Sequence, residues 1–309
     1  MNPASDISVI IPLYNKASSI ERTLRSVLSQ RVLPREIVVV NDGSTDDSAQ
    51  IVERIDSPLV RLIHQENRGV SAARNRAMAE ASGRWVALLD GDDAWEEDYL
   101  QQVEQLIATH PDCGAYGTGF WVETDGRRTM GDFPAEEGVV DFFRLAMSQY
   151  VLIPSATTLD RELALSLGGF PEGMRMGEDQ YLWTKIARVA QVAFLPRALA
   201  VYSRSAENRS VAIYRTEQTV YSLEDLYDAE ADAMSNEYVA RVALGKALVE
   251  CVRGGTAEAE RALKFFAYNR LSHRIERKVR LFNALPKCMR GRTYQIYNWL
   301  AWHIARRGL

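Results

Sequence analysis

Cysteine and histidine are both scarce in this chain of 309 residues. Cys113, Cys251 and Cys288 stand apart and are odd in number. That pattern excludes a disulfide framework or a thiolate zinc site and fits a reducing compartment. His64, His110, His273 and His303 are equally scattered and form no metal-binding pair. There is no HExxH, no GxxxxGK[ST] loop and no GxGxxG after the first apolar run. These absences exclude the zinc proteases, P-loop nucleotide hydrolases and dinucleotide-binding enzymes that carry such signatures. No segment approaches the ~20 apolar residues of a membrane-spanning helix. No secretory leader is recognisable, so the sequon Asn208-Arg209-Ser210 is expected to go unused and the chain is expected in the cytoplasm. Internal repeats and low-complexity tracts are absent too, and no nucleic-acid partner is expected. What remains is a composition with 47% hydrophobic and 25% charged residues, ordinary for a globular protein of one large domain or two.

Against that plain background one feature stands out. Asp90-Gly91-Asp92-Asp93 follows directly on the apolar run Trp85–Leu89. The run reads as a buried strand. Carboxylates just beyond its end lie where open α/β sheets bind ligands. A hard cation such as Mg²⁺ favours one or two carboxylates together with substrate phosphates. The competing reading is a solvated turn whose acids cap a helix over Trp95–Thr109.

The preceding residues favour the first reading. Apolar runs at Ile7–Leu13, Glu36–Val40 and Leu59–Ile63 each end in polar residues: Tyr14-Asn15, Asn41-Asp42-Gly43 and His64 to Gly69. Helical patterns separate them. Ile20, Leu24, Val27 and Leu28 share one face after a Ser18 or Ser19 cap. Ser44–Ile55 opens with a form of capping box, Ser44 to Asp47, and Ser71–Ala81 is rich in alanine. Strand alternating with helix predicts an α/β, mostly parallel, Rossmann-like sheet flanked by helices, with the polar strand ends gathered on one rim.

Taken in order, VIIPLYN, VVVNDGSTDDS, ENRGVSAARNRA, LDGDD and GGFPEGMRMGEDQYLW resemble the successive signatures of the family 2 glycosyltransferases of GT-A fold, over roughly residues 6–205. The resemblance implies an inverting transferase that moves a sugar from a nucleoside-diphosphate donor, UDP-linked by preference, to a hydroxyl acceptor. Asp42 would then accept a hydrogen bond from the imide N–H of the base, a task suited to a group that only accepts. Pro12 and Tyr14 would support the base. Arg68, Gly69, Arg74 and Asn75 would form a second nucleotide contact set, with an arginine pairing either the diphosphate or the metal-site acids. Arg76 is expected to be solvated. Asp90, beside Gly91, would approach the ribose or sugar. Asp92, with Asp93, would hold Mg²⁺ or Mn²⁺. Glu178 belongs to the donor site, and Asp179 would be the base that takes the acceptor proton. Trp183 would either stack on a sugar or be buried. Many relatives add a metal-binding His after the last sheet strand. Here Tyr202 to Ser210 contains none, leaving Arg204 or Arg209 to meet the diphosphate.

Two other classes compete. A sugar nucleotidyltransferase would carry a Gly-rich phosphate loop with a basic residue near its N-terminus, and the segment after Leu13 has none. A non-catalytic nucleotide-sugar-binding protein would be expected to lose the acids, which all remain. Donor and acceptor identity fall to loops in 112–160, with Trp121, Tyr150 and Ser155 as candidate liners.

The chain is expected to divide into a catalytic domain over 1–215, with a nucleotide-binding half at 1–111 and an acceptor half at 112–215, and a helical basic region over 216–309. Residues 251–309 hold 13 Lys and Arg against 3 Asp and Glu, a net of +10, so that residues 1–250 carry −14 of the total −4. Arg270, Arg274, Arg277, Lys278, Arg280, Lys287, Arg290 and Arg292, with Leu281, Phe282, Leu285, Trp299, Leu300 and Trp302, suit an anionic membrane surface. The enzyme would then lie peripherally on the inner face of the cytoplasmic membrane, acting on a saccharide or lipid-linked saccharide in surface-polysaccharide or glycolipid assembly. Two readings compete with docking: the apolar residues pack internally, or the charge faces the acidic catalytic domain or another subunit.

Overall fold

In the computed structural model, which describes residues 5–204 and 220–294, the apolar runs become strands. β1 (Ile7–Leu13), α1 (Ile20–Leu28), β2 (Glu36–Asp42), α2 (Ser48–Glu53), β3 (Val60–Gln65), α3 (Val70–Glu80) and β4 (Trp85–Leu88) alternate as the pattern predicts. Then come β5 (Ala94–Trp95), α4 (Tyr99–Thr109), β6 (Cys113–Thr124), β7 (Arg127–Met130), β8 (Gly138–Val140), α5 (Phe142–Ala146), β9 (Thr157–Asp160), α6 (Arg161–Ser166), α7 (Glu178–Val189) and β10 (Gln191–Ser203).

The strands form one sheet in the order β3-β2-β1-β4-β9-β6-β10-β5, with β7 beside β6 and β8 beside β10. β3, β2, β1 and β4 are mutually parallel. β9 runs antiparallel between β4 and β6, and β10 returns parallel to β6. Val9, Ile10, Ile11 and Ile37 to Val40 are fully enclosed. Strands covered on both faces read as unbroken apolar runs, which is why these segments show no alternation. Each such side chain contributes about 1.5–3 kcal/mol by leaving water. α1 turns Ile20, Leu24 and Val27 into the same core, and α3 packs on β1 and β2. β2 and β4 lie on opposite sides of β1, so the strand order reverses there. At such a switch point the connections diverge and leave a crevice at the carboxyl ends.

Helix starts differ from the sequence expectation in three places. α2 begins at Ser48, because Asp46 takes the hydrogen bonds from Ser48 N and Oγ and from Ala17 N. α4 begins at Tyr99, because Ala94–Trp95 is drawn into the sheet against β10. Ser19 precedes α1 but does not cap it with its hydroxyl, which donates to Gly91 O at 2.9 Å.

The chain divides into two compact units, with the boundary between Ser222 and Leu223. The boundary expected near residue 215 lies outside the described residues. The second unit is helical, as its pattern predicts: α8 (Ala233–Arg253), α9 (Thr256–Phe265) and α10 (His273–Ala284) follow a short 3₁₀ turn. Asp232 caps α8 by accepting from Ser235 N, and Gly254 closes it in the left-handed region at φ 111°. Two residues assigned to a docking surface turn inward instead. Phe282 is 1% exposed in the helical core. Arg290 is 6% exposed, and its guanidinium donates to the carbonyls of Leu285, Cys251 and Asn283. Carbonyls at helix C-termini lack intrahelical partners, so a buried cation there satisfies them. Trp299, Leu300 and Trp302 lie outside the described residues.

Candidate active site

The rim at the reversal of strand order carries most of the expected residues. Pro12 is the penultimate residue of β1, and Tyr14 follows the strand, half-buried. Asp42 ends β2 and is 3% exposed. Its Oδ1 accepts from Arg68 N at 2.9 Å and Gln65 Nε2 at 2.7 Å, and its Oδ2 accepts from Gly69 N at 2.8 Å. A carboxylate offers about four lone-pair positions, so Asp42 organises the 65–69 loop and keeps acceptor capacity for one further donor. Gly69 precedes α3 at φ 92°, a conformation an L side chain resists. Arg68 turns its side chain away to Glu172, at 2.7 Å.

Arg74, one turn into α3, is the centre of the site. It is 3% exposed. Nη2 donates to Asp90 Oδ1 at 2.7 Å, Nη1 lies 3.8 Å from Glu178 Oε1, and the guanidinium sits 5.2 Å from the centre of the Phe170 ring. Burial works against its charge, but Asp90 and Glu178 outweigh burial and raise its pKa further. Nε and Nη1 have no hydrogen-bond partner among the described residues. Arg76 is half in solvent and pairs with Glu80.

Asn75, expected among the nucleotide contacts, is engaged here with the Gly-rich segment. It donates to Phe170 O and accepts from Phe170 N, both at 2.8 Å. Together with Arg68–Glu172, it fastens the Gly-rich segment 168–177 to α3. That segment ends in Met176 and Gly177, both at positive φ, and so turns abruptly into α7. Glu178 and Asp179 therefore open α7 beside Arg74. A helix N-terminus favours the anions, but burial dominates. It raises the Glu178 carboxyl to about 7, with Asp179 adding and Arg74 opposing. Burial also raises Asp179, against the pull of Arg74. Trp183 is 1% exposed and packs edge-on to Phe170, so it is a buried aromatic and not a sugar platform.

The acids after β4 divide by environment. Asp90 faces Arg74. Asp92 is raised by burial and lines a cavity of ≈ 200 Å³ with Ser18, Ser19, Arg22, Glu123, Gly126 and Ser203. Gly91 gives its carbonyl to Ser19. Asp93, expected to share the ion, is 2% exposed, and its oxygens accept from Ser155 Oγ at 2.5 Å and Ser203 N at 2.8 Å. Its carboxyl is pushed far above the ordinary range by burial and by its two acidic neighbours. Asp93 therefore braces the DGDD turn to the end of β10. Ser155, expected as a liner, is likewise part of that brace, since it also accepts from Asp90 N. Trp121 lines a separate cleft with Arg128 and Arg197, and Tyr150 is exposed against Phe120.

Among the described residues no three His, Cys, Asp or Glu side chains group to cage an ion unaided. Mg²⁺ and Mn²⁺ do not require such a cage when a diphosphate supplies oxygens. A hard carboxylate at a polar cavity, Asp92, fits that shared mode. Arg204 gives its backbone N–H to Glu123 O, and Arg209 lies outside the described residues. Sequence reasoning missed Lys16, whose Nζ lies 2.6 Å from Asp92 Oδ2. Its position two residues after Tyr14, on the same rim, was the available signal.

Residues 8–184 match the sequence profile described as Glycosyl transferase family 2. The chain belongs to that family. Glycosyltransferase GlyA of Streptococcus pneumoniae is 30% identical over 244 residues, which make up 74% of this chain and 35% of GlyA. The family 2 chain thus spans about a third of that relative's length. Among solved structures, S. aureus TarS 1–349 in complex with UDP-GlcNAc aligns with TM-score 0.69 at 20% identity, covering 94% of this chain and 91% of that one. The mannosyltransferase PcManGT of Pyrobaculum calidifontis, in complex with GDP-Man and Mn²⁺, aligns with TM-score 0.57 at 21% identity over 99% of this chain and 83% of its own. At these identities the likeness establishes a GT-A-like fold.

Proposed function

We propose that the protein is an inverting glycosyltransferase that moves a sugar from a nucleoside-diphosphate donor, UDP-linked by preference, to a hydroxyl acceptor. The observation that carries this reading is Arg74, which ties Asp90 at the end of the nucleotide-binding strands to Glu178 at the start of α7. One buried cation thereby draws Asp90 and the Glu178-Asp179 pair into a single site. Family membership and the nucleotide-sugar complexes of TarS and PcManGT support the same reading.

The residues have distinct tasks. Asp42, Pro12 and Tyr14 receive the base, and the Gly69 turn lets the diphosphate approach α3. Asp90, held by Arg74, and Glu178 orient the donor sugar. Asp179 accepts the proton of the acceptor hydroxyl as its oxygen bonds to the anomeric carbon and the bond to the diphosphate oxygen breaks. Burial raises its basicity, which suits a base working near neutral pH. Asp92 would hold Mg²⁺ or Mn²⁺ jointly with the diphosphate, and the ion would neutralise the charge of the leaving group.

The acceptor is a saccharide or lipid-linked saccharide of surface-polysaccharide or glycolipid assembly, and the basic second unit brings the enzyme to an anionic membrane surface. No helix among the described residues is long and apolar enough to cross a membrane. A screen of nucleotide sugars with Mg²⁺ or Mn²⁺, scored by release of the nucleoside diphosphate and by acceptor labelling, tests the reading. Turnover of at least one donor is expected, and excess EDTA or Asp92→Ala should abolish it. Undiminished transfer in EDTA would remove the ion from Asp92, and nucleotidyl transfer in place of sugar transfer would overturn the activity itself.

A further inference from the structure

Lys16 extends from the turn after β1 into the acidic cluster. Its Nζ lies 2.6 Å from Asp92 Oδ2, and the two side chains are only 15% and 14% exposed. The base of the lysine is anchored as well. Lys16 N donates to Ser48 Oγ at 2.7 Å, and Ala17 N donates to Asp46 Oδ2 at 3.0 Å. The ammonium is thus held against Asp92, which lines the cavity. Arg22, a cation that does line that cavity, is turned to Glu123 at 2.6 Å.

We propose that Lys16 is a resident counter-ion that competes with the divalent cation for Asp92, and that a nucleoside diphosphate relieves the competition, so that metal and nucleotide bind cooperatively. The inference rests on the reading of Asp92 as the ion's ligand. An enclosed carboxylate beside two other acids is costly to leave unpaired, and Lys16 supplies the missing charge in the free protein. A divalent ion approaching Oδ2 meets a positive charge at contact distance, and one of the two must leave. Lysine suits this exchange because it carries a point charge on a flexible stem, where arginine would hold a rigid fork. A bound diphosphate offers the ammonium another set of oxygens, and the carboxylate is freed for the ion. By linkage, nucleotide tightens the metal by the same factor as metal tightens the nucleotide. The free enzyme therefore holds little metal, and the ion joins the site together with the donor.

Mn²⁺ titration of the full chain, followed by the paramagnetic resonance of free Mn²⁺, tests this with no nucleotide, with UDP and with GDP. In wild type one nucleotide should tighten Mn²⁺ roughly 5–150-fold, the usual span of coupling between two sites. Lys16→Met should bind Mn²⁺ alone at least ~10-fold more tightly than wild type, and the coupling should fall at least ~5-fold. Lys16→Arg, which keeps the charge, should leave Mn²⁺ alone weakly bound. Wild-type Mn²⁺ affinity and coupling in a folded Lys16→Met overturns the proposal while leaving Asp92 as a ligand. The reciprocal measurement needs wild type only: nucleotide binding that is indifferent to Mn²⁺ also overturns it. If Mn²⁺ binds to no variant even with nucleotide, the metal reading of Asp92 falls and the proposal falls with it.

Discussion

Asp179 stands in the first turn of α7, where the helix terminus stabilises its anion and burial opposes it. Burial prevails, and the residue must be ionised to accept a proton. The rate should therefore fall as pH drops through a folded pKa above the ordinary carboxylate range, and a pH profile of kcat/KM would show that acid limb. Asp179→Asn should lower turnover by at least ~100-fold, the usual share of a general base. Donor affinity, measured by calorimetry, should change little, and a near-wild-type rate would move the base to Glu178. Glu178 itself links the site to stability. Its carboxyl titrates near 7 in the folded chain against a model-peptide value of 4.5. Between those values the folded form binds more protons than the unfolded form, so stability declines as pH rises through that window. Glu178→Gln should flatten the decline and stabilise the protein by roughly 1–3 kcal/mol at pH 8 in thermal unfolding. At this scale the sequence was legible in residue types: the acids after β4 and at the start of α7 could be named. Their division of labour could not, because Asp92 and Asp93 are adjacent in sequence and differ only in which side of the turn meets Ser155 and Ser203.

The element that positions the base is the Gly-rich segment 168–177. Gly169 adopts φ +64°, and a Cβ there would stand 2.4 Å from Asn75 Oδ1. The glycine is thus needed both for conformation and for the close approach that lets Asn75 bond the Phe170 backbone. Asn75→Ala removes both of those hydrogen bonds and leaves buried backbone groups unpaired. It should cost about 1–3 kcal/mol in urea unfolding. Turnover should fall with it, because α7 would no longer be held beside Arg74. Intact stability would show that the contact is dispensable. Sequence patterning predicted α7 and its acids, but not the tie from α3. A lone asparagine in a helical, alanine-rich pattern has no periodic signature, and its partner lies 95 residues away.

At the scale of the whole molecule, charge separates the two units. α10 exposes Arg274, Arg277 and Leu281 while burying Val279 and Phe282. The chain should co-sediment with anionic vesicles, and raised salt should release it. Arg274→Glu with Arg277→Glu should weaken that binding by at least ~30-fold, at about 1 kcal/mol per basic residue. Equal binding by both proteins, or none by either, would leave the charge without a membrane role. Arg290 cannot contribute to such a surface, because its guanidinium closes the carbonyl ends of the helices. Composition counted it with the other cations, since charge runs carry no information on which side chain faces inward.

The sequence by itself determined the alternation of strand and helix, the rim at the strand ends and the residue types placed there. These follow from local periodicity and turn chemistry, which act over a few residues. Only the tertiary structure decided that β9 runs antiparallel beside β4, that Arg74 joins Asp90 to Glu178, that Asp93 is enclosed and that Lys16 neutralises Asp92. Each of those outcomes depends on which charges and carbonyls are brought together from distant parts of the chain, and on how far water is kept from them.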